Sequence, residues 1–158
     1  MKLKFTILLL FAFCFGRGQT VRISNFDELM KSLNNGEPVR VIIHYAQCKF
    51  ATEKETPIAP PNAITGLNID TYEFFASGAA HNKLAFVVFS DSKLIKNPLG
   101  KGFVYNYGKV RISADNSAQV TAQYIHPKNY KILMNETFLG MVNDGKNGGA
   151  IDLFVNKP

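Results

Sequence analysis

The chain has 158 residues, of which 46% are hydrophobic, and a formal net charge of +6. This length provides for one hydrophobic core and is short for two. The basic residues are scattered, with no run of five or more like charges. Charge distribution therefore predicts neither a nucleic-acid partner nor a polybasic membrane patch.

The amino terminus has the pattern of a secretion signal. Lys2 and Lys4 precede an apolar run over residues 5–15, and glycines follow at positions 16 and 18. The run is too short to span a bilayer, which takes about 20 apolar residues, and small residues after such a run suit a signal peptidase.

We predict that residues 1–18 are a cleaved signal peptide and that residues 19–158 form a single domain. This domain is expected to be secreted or periplasmic, without stable insertion into a membrane. Cleavage would remove three of the 18 basic residues and none of the 12 acidic ones, which leaves 15 against 12 and a net charge of +3. A charge of this size on such a domain is ordinary, so the apparent basicity is partly a property of the signal.

The first element after the signal is a helix, predicted at about residues 25–35. Ser24 is placed as its N-cap, and Gly36 can adopt the left-handed conformation that closes a helix. Four apolar side chains recur at helical spacing: Phe26, Leu29, Met30 and Leu33. We expect this stripe to lie against a sheet.

Strands and turns are predicted from Pro38 onward, because apolar residues alternate along the chain. The predicted strands are residues 39–45, 69–75, 84–89, 103–112, 120–124, 132–138 and 151–155. A change of apolar phase after Gly108 predicts a β-bulge there. Residues 46–66 show no period, and an insert of this length in a compact domain is more often functional or mobile than decorative.

One helix followed by about seven consecutive strands is typical of an α+β domain. We predict one N-terminal helix packed on a curved, mostly antiparallel β-sheet meander or a partly closed barrel.

Two groups of short motifs stand out along this order of elements. The first is Leu33, Asn35, Gly36 and Pro38, then Val39-Arg40-Val41-Ile42-Ile43, then Cys48. The second is Leu84-Ala85-Phe86, Asn106-Tyr107-Gly108-Lys109-Val110, Asp115-Asn116 and Pro127. In this order the motifs resemble the VirK family of exported bacterial proteins.

The resemblance implies a small exported domain associated with virulence regulons, with no active site and no cofactor to carry over. It also implies a cysteine in the penultimate strand of many members, able to pair with the one matching Cys48. Here Phe138-Leu139-Gly140-Met141 contains none. The chain therefore departs from the family pattern at this position.

Cys48 and His44 are the candidate reactive pair. Cleavage before Gln19 would remove Cys14 and leave Cys48 as the single thiol. An imidazole close to a thiol can lower its pKa and create a nucleophile. The alternative, a buried thiol at the end of a strand, is the commoner arrangement for an unpaired cysteine.

Aromatic side chains suggest a ligand pocket. Phe103, Tyr105, Tyr107 and Tyr124 would offer flat apolar surfaces with hydroxyl tips if they lined the concave side of a half-barrel. The alternative is that these four residues are core packing under the helix, which the general preference of aromatics for burial favours. The segment 101–107 also partly imitates an RNA-recognition strand, but the accompanying βαββαβ pattern is missing.

The sequence gives only weak indications of a metal site or of glycosylation. His44, His81 and His126 stand on separate predicted elements, so their spacing predicts no metal site. Asn135-Glu136-Thr137 is a glycosylation sequon, which would matter only in a eukaryotic host.

Three functions remain open on the sequence. The first is a non-enzymatic exported domain that binds a small ligand or a protein partner through residues 46–66 or the aromatic face. The second is a thiol enzyme that uses Cys48 and His44. The third is a secreted effector or toxin-like protein, suggested by the virulence association of the family.

Overall fold

The structure, a computed structural model, describes residues 19–51 and 59–157. The predicted signal peptide and the centre of the segment 46–66 lie outside these ranges. The elements in chain order are β1 (Gln19–Ile23), α1 (Phe26–Asn34), β2 (Val39–His44), β3 (Lys49–Phe50), β4 (Ile64–Ile69), β5 (Glu73–Phe75), β6 (Phe86–Lys96), β7 (Phe103–Ser113), β8 (Ser117–Ile125), β9 (Ile132–Met141) and β10 (Ile151–Lys157). A single 3-10 turn, Tyr45–Gln47, joins β2 to β3.

The strands form two antiparallel sheets. Sheet A has four strands in the order β1-β10-β2-β4, and sheet B has six in the order β3-β9-β8-β7-β6-β5. The sheets do not close into a barrel. The prediction of a mostly antiparallel protein with one helix is confirmed for the described residues, whereas a partly closed barrel is not what forms.

One hydrophobic core joins both sheets and the helix. Its fully buried members come from every layer: Leu29 of α1, Val41 and Ile43 of β2, Val110 and Ile112 of β7, Val120 of β8, and Ile151 and Leu153 of β10. Alternating inward side chains on both sheets produce this arrangement, since successive residues of a strand point to opposite faces. We call the face of sheet B that carries Val110 and Val120 its inner face.

Helix α1 forms close to the predicted place, with a different cap. The side chain of Asn25, not Ser24, accepts a hydrogen bond from the Glu28 N–H at 2.9 Å. The Ser24 N–H instead donates to the Glu28 carboxylate at 2.7 Å. The two bonds satisfy backbone donors reciprocally, so the Ser24 assignment was wrong by one residue.

Several strand boundaries differ from the prediction. Strand β1 precedes the helix and pairs with β10, so the helix is the second element of the described chain. The predicted strand 69–75 is two strands, β4 and β5, separated by a turn. The segment 46–66 contributes the 3-10 turn, all of β3 and the start of β4.

No bulge forms at Gly108. Its neighbours stay in one continuous register with β6 and β8, and the register shift lies instead between Tyr124 and Ile125 of β8. Val104 and Val110 are both fully buried and occupy the same phase of β7. Asn106 and Gly108 occupy the two inward positions between these valines. Because neither residue is apolar, the sequence does not show that the alternation continues.

Candidate functional site

The apolar concavity of most interest lies where the two sheets separate. We call it the inter-sheet cleft; its volume is about 460 Å³. It is lined by Tyr45, Phe50, Pro61, Ala63, Ile64, Thr65, Leu99, Asn106, Ala122, Tyr124, Met134, Glu136 and Phe138. The first residues of β4 form one wall, and the inner face of β7, β8 and β9 forms the other.

Tyr45 lines this cleft because the chain turns sharply after β2. Its N–H donates to the Ala63 carbonyl at 3.0 Å, and its carbonyl accepts from the Cys48 N–H at 2.9 Å. These bonds tie the 3-10 turn to the segment that leads into β4. The Tyr45 side chain is thereby held against sheet B.

An aromatic cluster supports the floor of the cleft. The ring centroids of Tyr45 and Phe138 are 4.8 Å apart, and those of Phe50 and Phe138 are 5.0 Å apart. Both pairs are tilted, in the range where aromatic rings attract beyond simple burial. The short strand β3 therefore brings Phe50 to the inner face, since Phe50 is paired directly with Phe138.

Burial raises the pKa of the Tyr45 phenol to about 12, with smaller contributions from Cys48 and then Tyr124. The phenol is consequently neutral at physiological pH and can donate a hydrogen bond. Tyr45 and Tyr124 both line the cleft. Two hydroxyl groups of this kind can hold the polar end of a ligand whose body is apolar.

We predict that Tyr45 ionises at a pH well above the usual range of a tyrosine and weakens the fold as it does so. A folded pKa raised from 10.0 to about 12 leaves stability intact below pH 10 and removes it as the pH rises towards 12. The loss is roughly 2 kcal/mol. Phenolate absorbance during alkaline titration should show a late phase that Tyr45→Phe abolishes. An unchanged titration curve in this variant would contradict the assignment.

The cleft combines an apolar lining with a few polar groups. Aliphatic and aromatic side chains make up most of its lining, while Thr65, Asn106 and Glu136 add polar groups. Small-molecule sites commonly combine a mostly apolar wall with a few convergent polar groups in this way. A ligand complementary to this lining would have an apolar body and at least one hydrogen-bonding group.

Of the four aromatic residues predicted from the sequence, only Tyr124 lines this cleft. Tyr124 is paired with Asn106, whereas Tyr105 is paired with Ile125, and directly paired residues share a face of the sheet. Phe103, Tyr105 and Tyr107 therefore lie on the outer face of sheet B. The prediction that the four residues share one concave side is wrong. The three aromatic residues of β7 point to the outer face, whereas Tyr124 of β8 points to the inner face.

Tyr107 borders a different depression, on the outer side of sheet B. Its volume is about 490 Å³, and its lining is largely polar, with Thr71, Glu73, Ser90 and Lys109. An open polar surface of this kind excludes less water than the inter-sheet cleft. It is therefore the weaker candidate for a small-molecule site.

Seven lining residues of the cleft lie outside the segment 46–66 and were missed as site residues: Tyr45, Leu99, Asn106, Ala122, Met134, Glu136 and Phe138. Alternation along β2 already placed Tyr45 on the buried face, which was an available signal. Nothing local marks the other six, because the walls of the cleft come together only through the pairing of β3 with β9 and the approach of β4.

Cys48 and His44 do not form a nucleophilic pair. The Cys48 thiol is in the hydrophobic core and contacts the backbone carbonyl of His44, with Sγ 3.7 Å from the oxygen. Burial raises the pKa of this thiol. A neutral, buried thiol lacks the thiolate character that a nucleophile needs. The structure therefore matches the alternative of a buried thiol at the end of a strand.

The His44 imidazole is engaged elsewhere, on the outer face of sheet A. Its Nε2 atom lies 3.0 Å from one carboxylate oxygen of Asp152, and Arg22 forms an ion pair with the other. The Arg22 guanidinium also lies 5.0 Å from the centroid of the Phe154 ring. This cluster crosses three neighbouring strands, so it fastens β1, β10 and β2 together.

The remaining predicted positions are dispersed. His81 and His126 lie in separate turns, and the described residues contain no group of three or more His, Cys, Asp or Glu that could hold a metal. Asn135 is exposed on the outer face of β9, where it accepts a hydrogen bond from Gln123 at 3.0 Å. In the part of the chain that is described, no helix has the length and apolar character needed to cross a membrane.

Comparison with known proteins identifies the family. The sequence model of the VirK protein family matches residues 22–130. The chain belongs to the VirK family. The resemblance inferred from the short motifs is therefore confirmed.

A solved structure of the same family has a similar fold. The crystal structure of a VirK family protein from Legionella pneumophila superimposes with a TM-score of 0.64 at 17% sequence identity, and the match covers 85% of this chain and 98% of that one. No curated protein matches the sequence. At this level of identity the similarity concerns the fold alone, so the function of this VirK protein rests on its own site.

Proposed function

We propose that this VirK family protein is an exported, non-enzymatic binding domain that holds a small amphipathic ligand in the inter-sheet cleft. The observation that carries the proposal is the cleft itself, a largely apolar concavity of about 460 Å³ bordered by the Tyr45 and Tyr124 phenols. Export is supported by the amino-terminal pattern, with its two lysines, apolar run and small residues.

The segment 46–66 and Tyr124, which the sequence offered as separate binding elements, are adjacent here. Pro61, Ala63 and Ile64 of that segment line the cleft together with Tyr124 and Met134 of sheet B. Ile64 is 65% exposed at the mouth. An exposed apolar residue beside an apolar concavity favours a ligand that covers both.

Binding is tested first with a neutral apolar dye, Nile red, followed by fluorescence, and then with a thermal-shift panel of lipids, sugars and aromatic compounds. A ligand at 100 times its Kd should stabilise the fold by about 2.7 kcal/mol. We expect Ile64→Glu to weaken dye binding about tenfold, because the charge stands at the apolar mouth. Tyr124→Phe should leave dye binding unchanged and weaken those ligands that bond the phenol.

The matched control is Leu139→Glu. Leu139 is 45% exposed, and its strand alternation places it on the outer face of β9, away from the cleft. Equal dye affinity of the Ile64→Glu and Leu139→Glu variants, or a complete absence of dye and ligand binding, would contradict the proposal.

A further inference from the structure

We propose that one end of sheet B docks on an anionic lipid bilayer. This surface, which we call the basic tip, consists of residues 94–105 and 125–133, the ends of the β6–β7 and β8–β9 hairpins. These strands are neighbours in the sheet order, so the two hairpin turns project side by side. The inference does not rest on the ligand proposed for the inter-sheet cleft, although Leu99 belongs to both surfaces.

The charge of the basic tip is of one sign. Its two segments contain Lys96, Lys101, Lys128 and Lys131, all exposed, and no aspartate or glutamate. Outside the tip, the processed chain would have 11 basic and 12 acidic residues, since four of its 15 basic residues are in the tip. The positive charge of the processed protein is therefore concentrated at this end.

Exposed apolar side chains accompany these lysines. Leu99, Phe103 and Tyr130 are 66%, 61% and 72% exposed. The strand register also aligns Leu94, Tyr105, Ile125 and Ile132 in one row across the outer face. Two of this row, Leu94 and Ile132, are 55% and 49% exposed. The protein thus presents apolar contact area where its charge is most positive.

Hydrogen bonds define the backbone of the two turns that carry Leu99 and Tyr130. In the first, the Asn97 side chain accepts a hydrogen bond from the Leu99 N–H at 2.9 Å. In the second, the His126 N–H donates to the Lys131 carbonyl at 2.8 Å, and Tyr130 is in the left-handed region with φ of 57°. A bulky residue adopts this conformation at some cost. Core packing does not explain that cost, since the ring is directed to solvent.

Lysines with exposed aromatic and aliphatic residues match the two parts of a membrane interface. The lysines complement anionic headgroups, and the rings and leucines reach the boundary with the acyl chains. An acidic protein or a nucleic acid would use the charges without needing the apolar row. The combination therefore favours a lipid surface.

The sequence concealed this surface because no single run of the chain is strongly basic. The four lysines are distributed over two segments more than 20 residues apart, between Lys101 and Lys128. Pairing of β7 with β8 brings the segments together. Docking of this kind is peripheral and differs from the stable insertion that the sequence argued against.

The test is co-sedimentation of the processed protein with vesicles of equal parts phosphatidylglycerol and phosphatidylcholine, compared with phosphatidylcholine alone. We expect binding to the anionic vesicles only, weakening as salt rises. Each lysine near an anionic leaflet contributes about fivefold to partitioning. The double variant Lys101→Glu with Lys128→Glu should thus bind at least about 25-fold less tightly.

Two matched controls accompany the charge and apolar variants. Lys83→Glu with Lys146→Glu makes the same change of net charge at exposed positions outside the tip, and should bind like the parent. Phe103→Ser with Tyr130→Asn should lose vesicle binding, while Phe74→Ser with Leu139→Ser, also exposed, should retain it. Unchanged thermal unfolding verifies that each variant is folded.

Equal loss of binding in the two lysine variants would overturn the proposal, because net charge alone would then explain it. Retained binding in the Phe103→Ser with Tyr130→Asn variant would overturn the apolar part. Binding to a single-stranded oligonucleotide in preference to the anionic vesicles would assign the surface to nucleic acid instead. Failure of any of these expectations leaves the cleft proposal standing, since Phe103, Lys101 and Lys128 do not line the cleft.

Discussion

Replacement of Leu29 by alanine should lower the free energy of unfolding by about 3 kcal/mol, which urea denaturation will measure. Leu29 has no exposed surface and belongs to the core that joins α1 to both sheets. Truncation removes buried methyl groups and leaves a cavity that the surrounding strands can only partly fill. A midpoint of thermal unfolding about 10 °C lower is expected from the same change.

Met30 provides the control on the same helix. It is half-buried and packs at the margin of the core, so Met30→Ala should cost about 1 kcal/mol. Equal costs for the two variants would mean that α1 does not present Leu29 to the core. The helix would then lie against the sheets without contributing side chains to their hydrophobic core.

The second large effect is a gain of stability from Gly140→Cys. Extension of the β3–β9 register places Cys48 opposite Gly140, and a Cβ built on Gly140 would lie 3.4 Å from the Cys48 Sγ. Under oxidising conditions we expect a disulfide that adds up to about 4 kcal/mol, since the bond would close a long loop of the unfolded chain. Loss of both free thiols in the denatured protein will report its formation.

Gly140→Ala is the matched control for this bond. The added Cβ in either variant meets the Ala150 Cβ at 3.1 Å, which is tight, so Gly140→Ala should be destabilised by about 1 kcal/mol. The difference between the cysteine and alanine variants then isolates the disulfide. Two titratable thiols in the oxidised cysteine variant would show that the strands do not meet here. Gly140 is in the penultimate strand, where the family resemblance implied a partner cysteine.

The parts of the fold with a strong local period could be predicted from the sequence. The alternation of Val39, Val41 and Ile43 identified β2, and the helical spacing of Phe26, Leu29 and Leu33 identified α1; all six residues are buried. Strands β1 and β3 were missed. Both strands are short and contain few buried apolar residues, so the local sequence pattern does not mark them. Their positions depend on pairing with the distant strands β10 and β9.

The candidate site was predicted less well than the strands. Whether a residue lines the cleft depends on which face of its strand it occupies, and not only on which strand it belongs to. Tyr105 and Tyr107 were assigned to the inner face since aromatic residues are usually buried. In fact Val104 and Val110 hold that face, and the aromatics alternate with them on the outside. Tyr124 of β8 lines the cleft because it is paired with Asn106, and so lies on the inner face, opposite to that of Tyr105 and Tyr107. A single sequence does not reveal such a register.

The inter-sheet cleft is the central claim, and NMR mapping with the most stabilising compound of the thermal-shift panel tests it most directly. Amide spectra of the labelled protein with and without this compound should show shifts concentrated at Tyr45, Phe50, Thr65 and Tyr124. Shifts confined to Tyr107, Lys109 and their neighbours on the outer face of sheet B would contradict the account.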